Sequence, residues 1–338
     1  ACFTLSLCIV ACGNSSNSTN NSKVITEPQK TQSLSEQIDQ YLAGNFSVSD
    51  TGIAVLVAEG ENKIYQGQIG LADKTNNLPI DQDTAFRLAS VSKPFTAVAI
   101  FILIEQGQLN LDDLILSYLP ELDESWRDIT VASLLSHQSG IRNFFSDDFI
   151  SALGWDWLNG LNNQRVLDYF INNAALDFPA NSQAVYSNSN YLLLAMIIER
   201  VSGEQFSSFM MEHLFTPLAL ANTYVIDSNS EPLVNEALNY GETHLMYNTE
   251  LYINGSGGQV SSVDDLWRLL NALLAQEIIS EQSLNQMLTT QSTFSDGSHY
   301  GFGWAVDEIS QGKGLYFHHN GSNDSFKSRI AVVKESGL

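Results

Sequence analysis

The sequence predicts an α+β domain whose antiparallel sheet is assembled from both ends of the chain, with a helical region inserted between them. Three observations carry this. Strand-type runs lie at 52–59 and 63–70 and return at 303–309, 314–317 and 326–333. Helical patterns dominate the stretch between them, and no segment repeats. The 338 residues, 44% hydrophobic, suffice for a large core.

The chain opens on ACFTLSLCIVAC, apolar and uncharged, with the length of a signal-peptide h-region rather than a membrane span. All three cysteines, Cys2, Cys8 and Cys12, fall here. The rest of the chain therefore has no disulfide, Cys-type zinc site or cysteine nucleophile. Ile9-Val10-Ala11-Cys12 resembles a bacterial lipobox, in which Cys12 would receive lipid. An N-terminal strand is the alternative for the same residues. A starting Met and a basic n-region are absent, so the chain is expected to lack its first residues. Residues 13–32, rich in Asn and Ser, cannot bury enough apolar surface to fold and are expected to form a tether.

The folded domain, 33–338, is expected to start at Ser33. There Ser33-x-x-Glu36 forms a capping box, and Leu34, Ile38, Tyr41 and Leu42 share one helix face. A Gly-Glu-Asn turn joins the first two strands. An apolar helix is predicted over 92–106, and further helices over 131–136, 164–172, 190–201, 206–215 and 264–274. The last strand ends before Lys334-Glu335-Ser336-Gly337, read as a hairpin turn.

Charge narrows the function. Fifteen Lys+Arg face 38 Asp+Glu, a net −23, and the tether is nearly neutral, so the acidity belongs to the domain. Such a body would not neutralise phosphates, which excludes nucleic-acid binding and attachment to anionic lipid through basic residues. No apolar run reaches the ~18–20 residues of a membrane-spanning helix.

Three motifs carry chemistry. In Ser90-Val91-Ser92-Lys93, Ser90 and Lys93 stand three residues apart at the start of the 92–106 helix, so both side chains face one side. An ammonium there favours the serine alkoxide, and the helix N-terminus adds positive potential. The plainer reading is an N-cap serine with an exposed lysine. Tyr186-Ser187-Asn188 lies on the loop entering an apolar helix. Tyr186 can act as a base only if a cation such as Lys93 lowers its pKa; otherwise it is a packed tyrosine followed by a capping asparagine. His318-His319-Asn320-Gly321-Ser322 lies on a late strand, where only one histidine can face a cleft, which argues against a paired-His metal site. Gly321 would let a substrate approach the backbone closely. His137, His213, His244 and His299 are scattered, and structural or surface roles are expected for them. No P-loop, GxGxxG or His-Glu-x-x-His occurs, and Gly255-Ser-Gly-Gly reads as a plain turn.

In this order, Ser-x-x-Lys, Tyr-x-Asn and His-x-Gly resemble the serine β-lactamase and penicillin-binding-protein superfamily. The closer resemblance is to the class C β-lactamase-related branch of D,D-carboxypeptidases, D-aminopeptidases and esterases. FRLASVSKPFTA, LLSHQSGI, VYSNSNYLLLAMIIERVSG, GGQVSSVDDLWRLL, YGFGW and HNGSNDSFKS extend it from about Gly52 to Leu338. The resemblance implies the β-lactamase/transpeptidase-like fold and a serine hydrolase acting through an acyl-enzyme on amide, peptide or ester carbonyls. Ser90 would be the nucleophile, with Lys93 lowering the pKa of Tyr186 and Tyr186 serving as general base and acid. Asn188 would orient Lys93 and the substrate amide. His319 would add polar or positive character, with Asn320 and Gly321 beside it, and the backbone N–H groups of Ser90 and Ser322 would form the oxyanion hole. No metal or organic cofactor is required, and the partner is a small-molecule or peptide substrate. Membrane contact would run only through a lipid anchor in a bacterial envelope.

β-Lactamases usually carry Lys-Thr-Gly where this chain has His319-Asn320-Gly321, so efficient antibiotic hydrolysis is not expected. A true β-lactamase and a non-catalytic envelope binding protein are the alternatives. Relatives continue beyond the last strand into another strand and a helix. The chain is thus expected to be a fragment at both ends, with an open apolar sheet edge prone to aggregate.

Overall fold

Ser33 starts the first helix, α1 (Leu34–Asn45), through the anticipated reciprocal cap. Ser33 Oγ accepts from the Glu36 N–H at 3.2 Å, and Glu36 Oε2 accepts from the Ser33 N–H at 2.8 Å. The computed structural model describes residues 3–6, 32–145, 150, 160–228, 232–238, 252–309, 314–323 and 325–335. The expected stripe on α1 is only half used: Leu42 is buried, whereas Leu34 and Tyr41 are exposed because the helix lies on the rim of the sheet.

Among the described residues the main sheet has eight strands. From the N-terminal part come β1 (Phe3–Ser6), β2 (Ile53–Glu59) and β3 (Asn62–Ile69). A short pair and a three-stranded sheet follow or intervene: β4 (Leu71–Asp73) with β5 (Leu78–Pro79), and β6 (Phe86–Arg87) and β7 (Tyr224–Val225) on either side of β8 (Gln259–Ser261). The C-terminal part supplies β9 (Ser292–Thr293), β10 (His299–Tyr300), β11 (Ala305–Ile309), β12 (Gly314–Ser322) and β13 (Lys327–Glu335). The eight-stranded order is β3-β2-β1-β13-β12-β11-β10-β9, antiparallel throughout, so the sheet does join both chain ends. Phe3–Ser6, inside the stretch read as a leader, lie between β2 and β13 and pair with both. Cys2, Cys8, Cys12 and the tether up to residue 31 lie outside the described residues. Strand β13 runs on through Glu335, so Lys334 and Glu335 continue the ladder instead of starting a turn.

The period-two alternation of β2 divides it between two cores. Ile53, Val55 and Val57 pack under α1 with Leu42 and Tyr65, while Ala54, Leu56 and Ala58 face the main core. That core is centred on two helices without a polar face, α2 (Ser92–Glu105) and α5 (Asn188–Ser202), between which α3 (Val131–Leu135) and α4 (Asn163–Asn172) lie along the chain. Every residue of α2 from Ser92 to Leu103 is buried, as an all-round apolar helix must be. The predicted 206–215 helix divides into α6 (Phe206–Met210) and a π-turn over Met211–Phe215. Beyond α7 (Val263–Leu274), the polar sequence of α8 (Glu281–Leu288) hid a helix capped by Ser280 and buried only at Ser283, Leu284, Met287 and Leu288. Among the described residues no helix is long and apolar enough to cross a membrane.

Candidate active site

A tight turn presents Ser90. Strand β6 pairs with β8, and the Leu88 N–H continues that ladder to the Gln259 carbonyl at 2.9 Å. Ala89 then takes φ 47°, an uncommon conformation for a residue with a Cβ. A 3₁₀ turn over Ala89–Val91 leads into α2. Ser90 is therefore lifted just ahead of a helix whose body is sealed in the core, and Lys93 lies in the first turn of that helix.

Lys93 is fully buried, so the reading of an exposed lysine fails. Its Nζ meets three oxygens: Ser90 Oγ at 3.1 Å, Asn188 Oδ1 at 2.8 Å and the Ser256 carbonyl at 2.9 Å. It also sits over the Tyr186 ring, 4.9 Å from the centroid. Burial holds the ammonium well below its ordinary pKa. Ser256 comes from the glycine turn that the sequence presents as plain. Gly255 in that turn, at φ 85°, leaves room for the Tyr191 carbonyl, which a Cβ would meet at 2.1 Å. The density of glycines at 255, 257 and 258 was the one signal that backbone was being brought close.

Tyr186 lies close enough to Ser90 for the two hydroxyls to interact, but it is not the low-pKa phenol expected of it. Its packing among buried rings pushes the phenol well above its ordinary value, and the nearby Lys93 does not offset that. Asn188, the first residue of α5, is held at both ends of its amide: Oδ1 accepts from Lys93, and Nδ2 donates to Asn143 Oδ1 at 3.2 Å. Asn143 was not anticipated. His137 was assigned a structural or surface role, yet its buried ring lies 4.3 Å from that of Tyr186 between centroids. His213, His299 and His318 keep outlying contacts with Glu204, Thr293 and Asp307, and His244 lies outside the described residues.

Strand β12 supplies less than expected. His319 is buried, and its Nδ1 donates to its neighbour's carbonyl on Asn320 at 2.8 Å, which leaves Nε2 to accept from the Tyr300 hydroxyl at 3.0 Å. Burial, helped by Lys93, pushes its pKa down to about 3, so it adds polarity and not positive charge. Asn320 points outward and accepts from Arg329 Nη1 at 2.8 Å. The absence of a side chain at Gly321 serves the protein itself: a Cβ would lie 2.1 Å from the Leu88 carbonyl oxygen and 2.2 Å from Ser328 Oγ. Ser322 lies at the mouth of the cleft in contact with Lys327.

Ser90, Asn188 and Ser322 line a cleft of about 160 Å³, and His319, Asn320 and Gly321 do not. Phe144, Phe145, Ile226 and Ile253 make its apolar walls; Arg87, paired with Glu236 at 3.2 Å, stands on its polar side. Among the described residues, the one grouping with metal-ligand spacing is Glu204, Glu212 and His213, and none of these lines the cleft. A buried lysine, a serine and hydrogen-bonded orienting groups suit acyl transfer at a carbonyl.

A sequence model of one family, described as Beta-lactamase, matches residues 38–338. Penicillin-binding protein 4* of Bacillus subtilis (strain 168) is 32% identical over 285 residues, covering 79% of this chain and 62% of that protein. The chain thus spans less than two thirds of that relative. Among solved structures, the octameric penicillin-binding protein homologue from Pyrococcus abyssi superposes with a TM-score of 0.73 at 24% identity, covering 89% of this chain and 72% of that one. The D-stereospecific amidohydrolase from Streptomyces sp. gives 0.71 at 22% identity, covering 88% and 92%. At such identities the structural likeness speaks for the fold.

Proposed function

Because this chain belongs to the β-lactamase family and has the β-lactamase/transpeptidase-like fold, we propose that it is a serine hydrolase acting on amide, peptide or ester carbonyls through an acyl-enzyme at Ser90. The supporting observation is the set of three oxygens around Lys93 Nζ. The Asn188 amide oxygen and the Ser256 carbonyl can only accept. An uncharged amine gives its two hydrogens to them and turns its lone pair toward the Ser90 hydroxyl. The burial that lowers the lysine's pKa therefore also leaves it aimed as a base.

In this mechanism Lys93 takes the Ser90 proton as Oγ bonds to the carbonyl carbon. The carbonyl electron pair moves onto oxygen, facing the N–H groups of Ser90 and Ser322; loss of one such donor costs about 3–4 kcal/mol in comparable sites. Collapse breaks the bond to the leaving nitrogen or oxygen. The proton held by Lys93 passes to it through Tyr186, whose high pKa keeps the phenol protonated at rest. Water then bonds to the acyl carbon and gives its proton to Lys93; the bond from that carbon to Ser90 Oγ breaks, Oγ takes the proton back from Lys93, and the acid is released.

The apolar walls of the cleft fit an uncharged acyl group, and a D-stereospecific amidohydrolase of the same fold supports an amide substrate. Neutral His319 supplies no charge for a β-lactam carboxylate, so esters and amides should be turned over faster than nitrocefin. Intact mass after exposure to a serine-reactive phosphonate tests the reading. An adduct is expected on the wild type and not on Ser90→Ala; a chain that takes up none would fit the binding-protein alternative instead. The same proposal extends to location: Cys12 would be lipidated, cleavage before it would release Phe3–Ser6 from between β2 and β13, and residues 13–32 would tether the domain outside a bacterial membrane. Labelling with an alkynyl fatty acid, lost in Cys12→Ala, checks it.

A further inference from the structure

Tyr186 is held by one residue at three points. The Val185 N–H donates to the His137 carbonyl at 3.0 Å, and the Ser187 N–H donates to His137 Nδ1 at 3.2 Å. Between those two bonds the imidazole lies against the phenol ring, centroids 4.3 Å apart and planes 33° apart. Asn190 Nδ2 also reaches Nδ1 at 3.2 Å. A backbone N–H can only donate, so Nδ1 carries the lone pair and the ring hydrogen sits on Nε2, which has no partner among the described residues.

This arrangement is expensive for a residue that merely fills space. His137 is fully buried, leaves a polar hydrogen unpaired, and adopts φ 61°. An apolar side chain would fill the same volume without the unpaired group. What the left-handed backbone achieves is to turn the carbonyl and the ring of one residue toward the same short stretch, 185–187. The ring is fully buried and does not line the cleft.

We propose that His137 is a positioning residue for the hydrolytic reaction: by gripping both neighbours of Tyr186 and its ring, it aims the phenol at Ser90 so that the proton reaches the leaving group. This rests on the reading of Ser90 as nucleophile and Tyr186 as proton carrier. The consequence is specific to the leaving group. A p-nitrophenolate departs without a proton, whereas an alkoxide or amine needs one. Misplacing Tyr186 should therefore slow alkyl esters and amides and spare p-nitrophenyl esters.

The full chain, its reactive Ser90 sites counted with the phosphonate, is compared as wild type, His137→Ala and His137→Asn. Asparagine tolerates the left-handed backbone and offers Oδ1 near the place of Nδ1, but lacks the ring. Per reactive site, His137→Ala is expected to lose about 30-fold in kcat/KM on an alkyl ester and less than about threefold on the p-nitrophenyl ester of the same acid. His137→Asn should recover most of the alkyl-ester rate; if the alanine variant does not fold, the asparagine variant should still show the imbalance, at about fivefold. Equal losses on both esters, or wild-type rates on both, overturn the proposal. A wild type without a phosphonate adduct overturns the hydrolase reading itself, and this role with it.

Discussion

Asn143 Oδ1 lies 3.2 Å from the side-chain nitrogen of Asn188, and this contact decides which end of the Asn188 amide meets Lys93. The same oxygen accepts from the backbone N–H groups of Asn188 and Phe145, at 3.1 and 3.2 Å, so one side chain fixes the start of α5 and a wall of the cleft together. Without it the Asn188 amide can rotate and present its nitrogen to the amine. Asn143→Ala should lower kcat/KM about tenfold, the value of one net hydrogen bond. Asn143→Asp keeps an acceptor and adds a negative charge that favours protonated Lys93. Its acidic limb in the pH–rate profile should move to higher pH, and an unmoved limb would count against Lys93 as the base.

Lys93 also leaves a mark on stability. Burial holds it well below 10.5 when folded, while in the unfolded chain it titrates near ~10.4. Between those values the unfolded chain binds a proton that the folded chain lacks, so stability rises with pH across that window. Lys93→Met is uncharged in both states and should lack that slope, about 1.4 kcal/mol per pH unit. Urea denaturation between about pH 8 and 10 should show the wild type gaining on the variant as pH rises; parallel curves would refute the assignment.

His319 acts at the other end of the scale. Its folded pKa of about 3 lies below the unfolded value near ~6.5. Its contribution is complete above the unfolded value and is lost as pH falls toward the folded one. In His319→Gln the amide oxygen can still accept from Tyr300, but nothing titrates. Between about pH 6 and 4 the wild type should lose roughly 1.4 kcal/mol per pH unit more than the variant. His137, also held low by burial, adds a loss of the same sign to both proteins.

Gly321→Ala places a methyl group 2.1 Å from the Leu88 carbonyl oxygen and 2.2 Å from Ser328 Oγ. The strand must move off the nucleophile turn to admit it. Chemical denaturation should show a loss of about 2 kcal/mol, in the range of core overpacking. Phosphonate uptake at Ser90 should slow at the same time. Unchanged uptake would mean that the turn tolerates a displaced β12.

Much of this was legible in advance where a local rule applied. Ser33 and Glu36 spell a cap, the alternation in β2 spells a strand, and Ser90 and Lys93 at three-residue spacing meet as predicted. Asn143, Ser256 and His137 were hidden because they act through an amide or carbonyl brought in from distant chain, with no periodic trace. Tyr186 was misjudged for another reason. A neighbouring cation suggested a lowered pKa, but the loss of solvent around the ring is the larger effect, and it becomes visible only when the packing is known.

Leu88 sits one step before the turn that carries the nucleophile, and both of its backbone groups are claimed by remote segments. Its N–H is taken by Gln259, and its carbonyl accepts from Ser328 Oγ at 2.6 Å, 240 positions along the chain. Contacts so far apart close late in folding, after the local helices have formed. The turn that carries Ser90 is therefore held from chain that is made long after it, and a chain still emerging during synthesis would lack both holds, Gln259 and Ser328. The position of the serine is thus set jointly by the first and last parts of the described chain.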